Sequence, residues 1–214
     1  MKATLDVPKL RGIVHLVMSP LSLVTGIVLI TLASEFAERI TLGVFSLTAV
    51  TLFTCSALYH RVGWSNRYKA LWRRIDHANI PILIAGAYTP FAIFLLEPRS
   101  ATYLLSAVWG GADVTALFRV SWVNAPRWLS VFAYIALGWA GIAFLPEFLS
   151  AGGVLIFSLI LLGGVLYSTG AIIYATKRPN ISPRWFGFHE LFHSFTAGAF
   201  IAHMLAAILV VFAH

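Results

Sequence analysis

Seven apolar stretches, each of roughly 20 residues, run through this chain with only short gaps between them. Wound as an α-helix at about 1.5 Å per residue, a stretch of that length matches the ~30 Å hydrocarbon layer of a bilayer. The stretches cover about residues 12–33, 40–60, 76–96, 101–118, 128–149, 152–176 and 188–213. They lack the short alternating pattern of an outer-membrane barrel. Lipid offers no partner to an open backbone group, so helices are the expected form. The expected fold is therefore all-α: one seven-helix integral membrane domain spanning residues 1–214. Composition agrees, with 59% hydrophobic and 11% charged residues, against about 45–50% and 25% in soluble domains. The gaps leave no room for a soluble domain. The first stretch is too long for a signal-peptide core and reads as a retained span. One cysteine excludes a disulfide framework and a CxxC metal site.

The net charge of +7 could suggest nucleic acid, but the basic residues form no stripe or single patch. They sit between the apolar stretches, where positive charge orients membrane insertion. With seven crossings, all of the 15 Lys and Arg residues except Arg39 and Arg99 fall on one side. The positive-inside rule then predicts a cytoplasmic N-terminus and an outside C-terminus.

Ionisable groups inside a bilayer cost several kcal/mol unless paired, so each marks a candidate site. His189 and His193 stand four apart at the start of the seventh stretch and share a helix face. Their Cβ atoms would lie about 6 Å apart. His60 closes the second stretch, with Ser56 one turn before it, and Asp76 opens the third. Singly, each has a plainer reading. The histidines can be interfacial, Ser56 can pack helices, and Asp76 can be an N-cap. The charge-derived topology nevertheless places His60, Asp76, His189 and His193 at one depth. Three imidazoles and an open position form a catalytic zinc site, and a nearby carboxylate can hold or deprotonate its water.

His189-Glu190-Leu191-Phe192-His193 also reads H-E-x-x-H, which in zinc proteases makes the Glu a general base. Glu190 can equally face headgroups or pair with Arg184. His15, His77 and Glu190 are candidates to support the site, with an interfacial reading open for His15. His203 lies roughly 15 Å deeper than His193 and suits an interhelical hydrogen bond. Asp113, in the fourth stretch, calls for a buried partner or a water-filled cavity. Cys55 reads as a packing residue. Pro81 and Pro90 should bend the third helix and free carbonyls around a cavity.

These residues resemble the hemolysin III family, the bacterial branch related to the progestin and adipoQ (adiponectin) receptors. The resemblance rests on Ser56-Ala-Leu-Tyr-His60, Arg74-Ile-Asp76-His77-Ala-Asn-Ile, Ala85-Gly-Ala-Tyr-Thr-Pro90, Phe188-His189-Glu190-Leu191-Phe192-His193 and His203. It implies seven transmembrane helices in the bacterial cytoplasmic membrane, with zinc near the cytoplasmic face. It further implies His60, His189 and His193 as ligands, Asp76 at the metal-bound water and Ser56 in support. The wider superfamily is regarded as metal-dependent hydrolases, its animal receptors being linked to ceramide hydrolysis, and the bacterial branch to membrane homeostasis. Within the family the Glu of H-E-x-x-H is not a protease base. The run Leu10-Arg-Gly-Ile-Val-His15 departs from an acid and N-S-x-T-H pattern common in bacterial members. The leading expectation is a zinc-dependent hydrolase of a membrane lipid amide or ester. The alternatives are a non-catalytic regulator, receptor or pore-forming hemolysin with a structural zinc, and an intramembrane protease using Glu190.

Overall fold

A computed structural model describes residues 7–122 and 124–212. Lys2 and the last residue of the seventh expected stretch, 213, lie outside the described residues. The described chain is helical, with no β-strand element among the described residues. The helices are α1 (Ile13–Leu32), α2 (Phe36–Arg61), α3 (Asn66–Leu95), α4 (Pro98–Ser121), α5 (Arg127–Gly138), α6 (Leu145–Thr176) and α7 (Phe188–Phe212), with a 3-10 helix at Ala140–Phe144. Five helical stretches are long and apolar enough to cross a membrane, and α4 falls outside that set. The outward surface is strongly apolar, with Val24, Leu47, Val114, Leu117 and Val154 among many exposed aliphatic side chains. Such a surface is stable against acyl chains and not against water. The protein is an all-α, multi-pass membrane bundle.

Helices α1 and α2 bury small and polar residues on their inward faces. In α1 the buried positions are His15, Met18, Ser22, Gly26 and Leu29, a stripe at helical spacing. A side chain at Gly26 would meet Ser46 of α2, and one at Gly86 would meet Thr48. Small residues at these points let membrane helices approach closely. Phe45, Phe53 and Phe200 fill the centre, with ring centroids of 5.4 Å for Phe45–Phe200 and 5.3 Å for Phe53–Phe200.

Two boundaries depart from the sequence expectation, and a third, at Gly153, falls next to the expected break between the fifth and sixth stretches. Helix α3 starts at Asn66, not Asp76, because nothing in Asn66–Ile75 breaks a helix. Its N-cap is Ser65, so Asp76 lies within the helix and is no N-cap. The fifth stretch is not one helix. It breaks at Trp139 into the 3-10 turn, where the Tyr88 hydroxyl donates to Gly138 O at 2.6 Å and accepts from Gly141 N–H at 3.2 Å. Helix α6 carries a non-helical residue, Gly153, at φ 67° and ψ 177°. Trp139 Nε1 donates to Ser168 Oγ at 2.9 Å and Arg127 to Tyr174 O at 3.1 Å. Both pairs bracket Gly153, so the chain folds back there. A positive φ favours glycine, and this one makes the reversal.

Pro81 and Pro90 both stand inside α3. Proline lacks the N–H that would bond the residue four back, so Pro81 frees the His77 carbonyl. The Tyr134 hydroxyl donates to that oxygen at 3.2 Å. At the deeper level, His203 of α7 donates from Nε2 to Ile160 O of α6 at 3.1 Å. Its ring occupies the space beside Gly163, where a Cβ would collide with it, while Gly164 has open space. Gly163→Ala should therefore lower stability by about 1–3 kcal/mol through overpacking. Gly164→Ala should change it by less than about 0.5 kcal/mol. Thermal unfolding of the two variants in mild detergent checks the difference.

Candidate metal centre and its cavity

The last turn of α2 and the first two turns of α7 meet at the end of the bundle that holds the loops at 62–65, 122–126 and 177–187. His60 enters from α2, and His189 and His193 from one face of α7. One ring nitrogen from each lies within 4.8 Å of the others. His60 Nε2 and His189 Nε2 are 3.1 Å apart, and His193 Nδ1 is buried with no partner. Tetrahedral zinc with Zn–N bonds of about 2.0–2.1 Å sets its nitrogens about 3.3 Å apart. Three neutral imidazoles at this spacing suit a borderline-soft divalent ion, and the donor set fits zinc.

Gly12 sets the approach of α1 to this cluster. It holds φ 77° at the N-cap of α1, and a Cβ there would lie 2.7 Å from His60 Cβ. The turn directs His15 onto the inward stripe of α1, where it is 3% exposed. Its ring stacks on His193 at 3.7 Å with 3° between planes and meets Phe53 edge-on at 5.1 Å. The interfacial reading of His15 is thereby corrected, since the stripe carries it into the bundle. Both its nitrogens lack partners among the described residues.

A cavity of about 390 Å³ opens beside the histidines. Ser56, Asp76, His189, His193, His15 and His77 all line it. Ser56 is buried one turn before His60, and Asp76 is 8% exposed. No ion pair holds Asp76 among the described residues. One face of α3 supplies Asp76, His77, Ile80, Leu83, Ile84 and Ala87 at spacings of three and four. Deeper in the cavity the wall holds Phe91 together with Tyr167 and His203, whose hydroxyl and Nδ1 are buried without partners among the described residues.

The H-E-x-x-H glutamate points elsewhere. Glu190 is 1% exposed and does not line the cavity. Its carboxylate forms an ion pair with Arg11 and accepts from Gly187 N–H at 2.8 Å. A glutamate at the third helical position bonding the N-cap amide is half of a capping box. The alternatives of headgroup exposure and pairing with Arg184 are corrected by this geometry. Asp113 has neither a buried partner nor a cavity. It faces outward beside Val114 and Leu117, one residue off the inward position of Ala112. Cys55 is a partly buried free thiol outside the cavity wall.

Sequence reasoning missed Arg11, Gly12 and a group of cavity arginines. Arg119 is inside α4, 4% exposed, and donates to Ser130 Oγ at 2.7 Å and His77 Nδ1 at 2.5 Å. Arg127 stacks over the Tyr174 ring, 4.6 Å from its centroid. Arg73 lines the mouth and donates to Asn124 Oδ1 at 2.8 Å. As topology charges these looked like loop residues. The usable signal was the inward stripe of α4, which places Arg119 one helical register from Ala112.

The Arg11–Glu190 pair joins the two ends of the chain and leaves a buried carboxylate if broken. Arg11→Ala and Glu190→Ala should each destabilise the protein, by about 1–3 kcal/mol for the partly exposed Arg11. Their double-mutant cycle should show coupling above about 1 kcal/mol. Coupling near zero in thermal or denaturant unfolding would remove the pair from the account.

A family model described as Haemolysin-III related matches residues 4–204. The chain is 32% identical over 192 residues to a hemolysin-3 homolog of Bacillus subtilis (strain 168), covering 88% of this chain and 86% of that protein. It is 31% identical over 194 residues to hemolysin-3 of Bacillus cereus, covering 88% and 84%. A progestin and adipoQ receptor-like protein 1 of Caenorhabditis elegans is 25% identical over 186 residues, covering 79% of this chain and 43% of the worm protein. The chain belongs to the haemolysin-III related family.

Proposed function

We propose that this protein is a zinc-dependent hydrolase of a membrane lipid amide or ester. The observation that carries the reading is the convergence of three imidazoles from two helices at the head of an apolar cavity, beside a buried carboxylate that no cation holds. His60, His189 and His193 would hold the ion. Zinc bound there supplies a Lewis acid and lowers the pKa of a bound water toward about 7. Asp76 then holds a water in the cavity and takes its proton, and Ser56 steadies the site from α2. The apolar wall excludes bulk water and accepts an acyl chain. The partners are membrane lipids, with no nucleic acid.

The topology assigned to this site is seven crossings. The segments on either side of Gly153 are each long enough for one, and the Trp139–Ser168 pairing supports their antiparallel course. Positive charge at the metal-centre end supports a cytoplasmic location for that end and the N-terminus, with the C-terminus outside. The bacterial relatives favour the cytoplasmic membrane.

A second reading, a structural zinc in a non-catalytic regulator, receptor or pore, is favoured by Asp76 sharing the cavity with the histidines. The carboxylate would then be the fourth ligand and close the site. The protease reading has lost its base, because Glu190 is occupied by Arg11 and Gly187.

Elemental analysis of the purified protein should find about one zinc per chain, lost in His60→Ala, His189→Ala and His193→Ala. Asp76→Ala should retain the zinc and lose about a hundredfold or more of the turnover of labelled ceramides or acyl lipids. Loss of zinc in Asp76→Ala selects the structural site, and turnover untouched by that substitution ends the hydrolytic role of Asp76.

A further inference from the structure

Three guanidinium groups line the cavity against a single carboxylate, Asp76. They gather around His77. Arg73 is one turn before it on α3, Arg119 bonds its Nδ1, and Arg127 covers Tyr174, whose ring centroid is 6.5 Å from that of His77. Arg119 has only neutral partners, Ser130 and His77, and its Nε has none, nor has that of Arg73. Among the described residues no ion pair involves any of the three. A buried guanidinium without a counter-charge costs several kcal/mol in a membrane bundle. Arg73 and Arg127 are half-buried beside it, so the guanidinium charge facing the cavity exceeds that of the one carboxylate, and an anionic ligand answers the excess. Beyond the cluster the wall is apolar at Leu83, Ile84, Phe91 and Ile160, which suits an alkyl chain.

The number of arginines selects the head. One guanidinium fork satisfies one carboxylate. A phosphate monoester offers three terminal oxygens and close to two negative charges, and arginine forks match it bidentately. The volume of about 390 Å³ stands at the small end of ligand cavities, which run to about 1,000 Å³, and suits one chain rather than two. We infer that the cavity binds a single-chain lipid phosphate monoester, with its phosphate on Arg73, Arg119 and Arg127 and its chain directed towards Phe91 and Tyr167. This deepens the lipid reading of the cavity and rests on it, but it requires neither zinc nor turnover.

The test is equilibrium binding to the purified full chain in uncharged detergent, with four probes: oleoyl lysophosphatidate, monooleoylglycerol, oleate and inorganic phosphate. Lysophosphatidate should bind at least tenfold more tightly than monooleoylglycerol, the range expected of charge-assisted hydrogen bonds being about ten- to a hundredfold. Oleate should fall between them, and inorganic phosphate should bind at least a hundredfold more weakly than lysophosphatidate. Arg73→Gln and Arg127→Gln should each reduce lysophosphatidate affinity about tenfold and leave monooleoylglycerol unchanged. Both side chains are only half-buried, so these variants decide the matter even where Arg119→Gln fails to fold. The preference should persist in His60→Ala with chelator present, which separates it from any failure of the zinc hydrolase reading. Equal affinity for the phosphate and the uncharged lipid overturns the inference, as does a head preference unmoved by either substitution. Tighter binding of oleate than of lysophosphatidate overturns the phosphate assignment. Inorganic phosphate binding as tightly as lysophosphatidate overturns the lipid assignment.

Discussion

A polar group placed inside a bilayer must be answered from within the protein, and most of this structure follows from that requirement. Pro81 leaves a carbonyl bare, and Tyr134 covers it. The break after α5 exposes a carbonyl and an amide, and the Tyr88 hydroxyl takes both. His203 reaches across to α6, which needs a glycine to let it pass. These groups face one another across the bundle, while Val24, Leu47, Val114 and Val154 face outward. In water, burial of apolar side chains would drive this arrangement. In lipid that force between helices is absent, and packing and hydrogen bonds take its place.

The candidate metal centre lies where this logic is left incomplete. Among the described residues, His193 Nδ1 and both nitrogens of His15 are buried without partners, and Asp76 makes no ion pair. The neighbouring Glu190 shows the contrast, since it is fully engaged by Arg11 and the Gly187 amide. Two acids near the same end of the bundle thus have different work. One closes the structure, and the other remains available to chemistry. The arginines around His77 extend the unanswered group along the cavity, with positive charge on one flank and imidazole nitrogens on the other.

The all-α membrane class was legible because apolar run length speaks directly to bilayer thickness. The co-location of His60, Asp76 and the α7 histidines was legible because charge asymmetry orders the loops without reference to those residues. What resisted reading was which way a side chain points. Glu190 sits inside a motif whose usual meaning sends it to the metal, yet the capping geometry of α7 turns it to Arg11. His15 looked interfacial because it stands near a span end, but a helical stripe of His15, Ser22 and Gly26 marks the inner face of α1. Asp113 looked buried because of its charge, and its register on α4 turns it outward. Arg119 was counted among loop charges although it lies on the inward stripe of the same helix. In each case the deciding quantity was rotation about a helix axis, which apolar run length does not encode.

The pairing of His60 with His189 spans 129 positions of the chain. A ribosome adding about 5–20 residues per second delivers the second partner roughly 6 to 26 seconds after the first. Throughout that interval α1, α2 and α3 can pack on one another, but His15 and His60 wait for the α7 rings they face. Arg11 and Glu190 are farther apart still, so that ion pair forms only when the last helix has been inserted, although α1 already packs on α2 through Ser19–Thr54 and Gly26–Ser46. Closure of the bundle and completion of the histidine cluster are one event. A product stalled before α7 therefore holds His60, Ser56 and Asp76 but lacks two of the three clustered imidazoles.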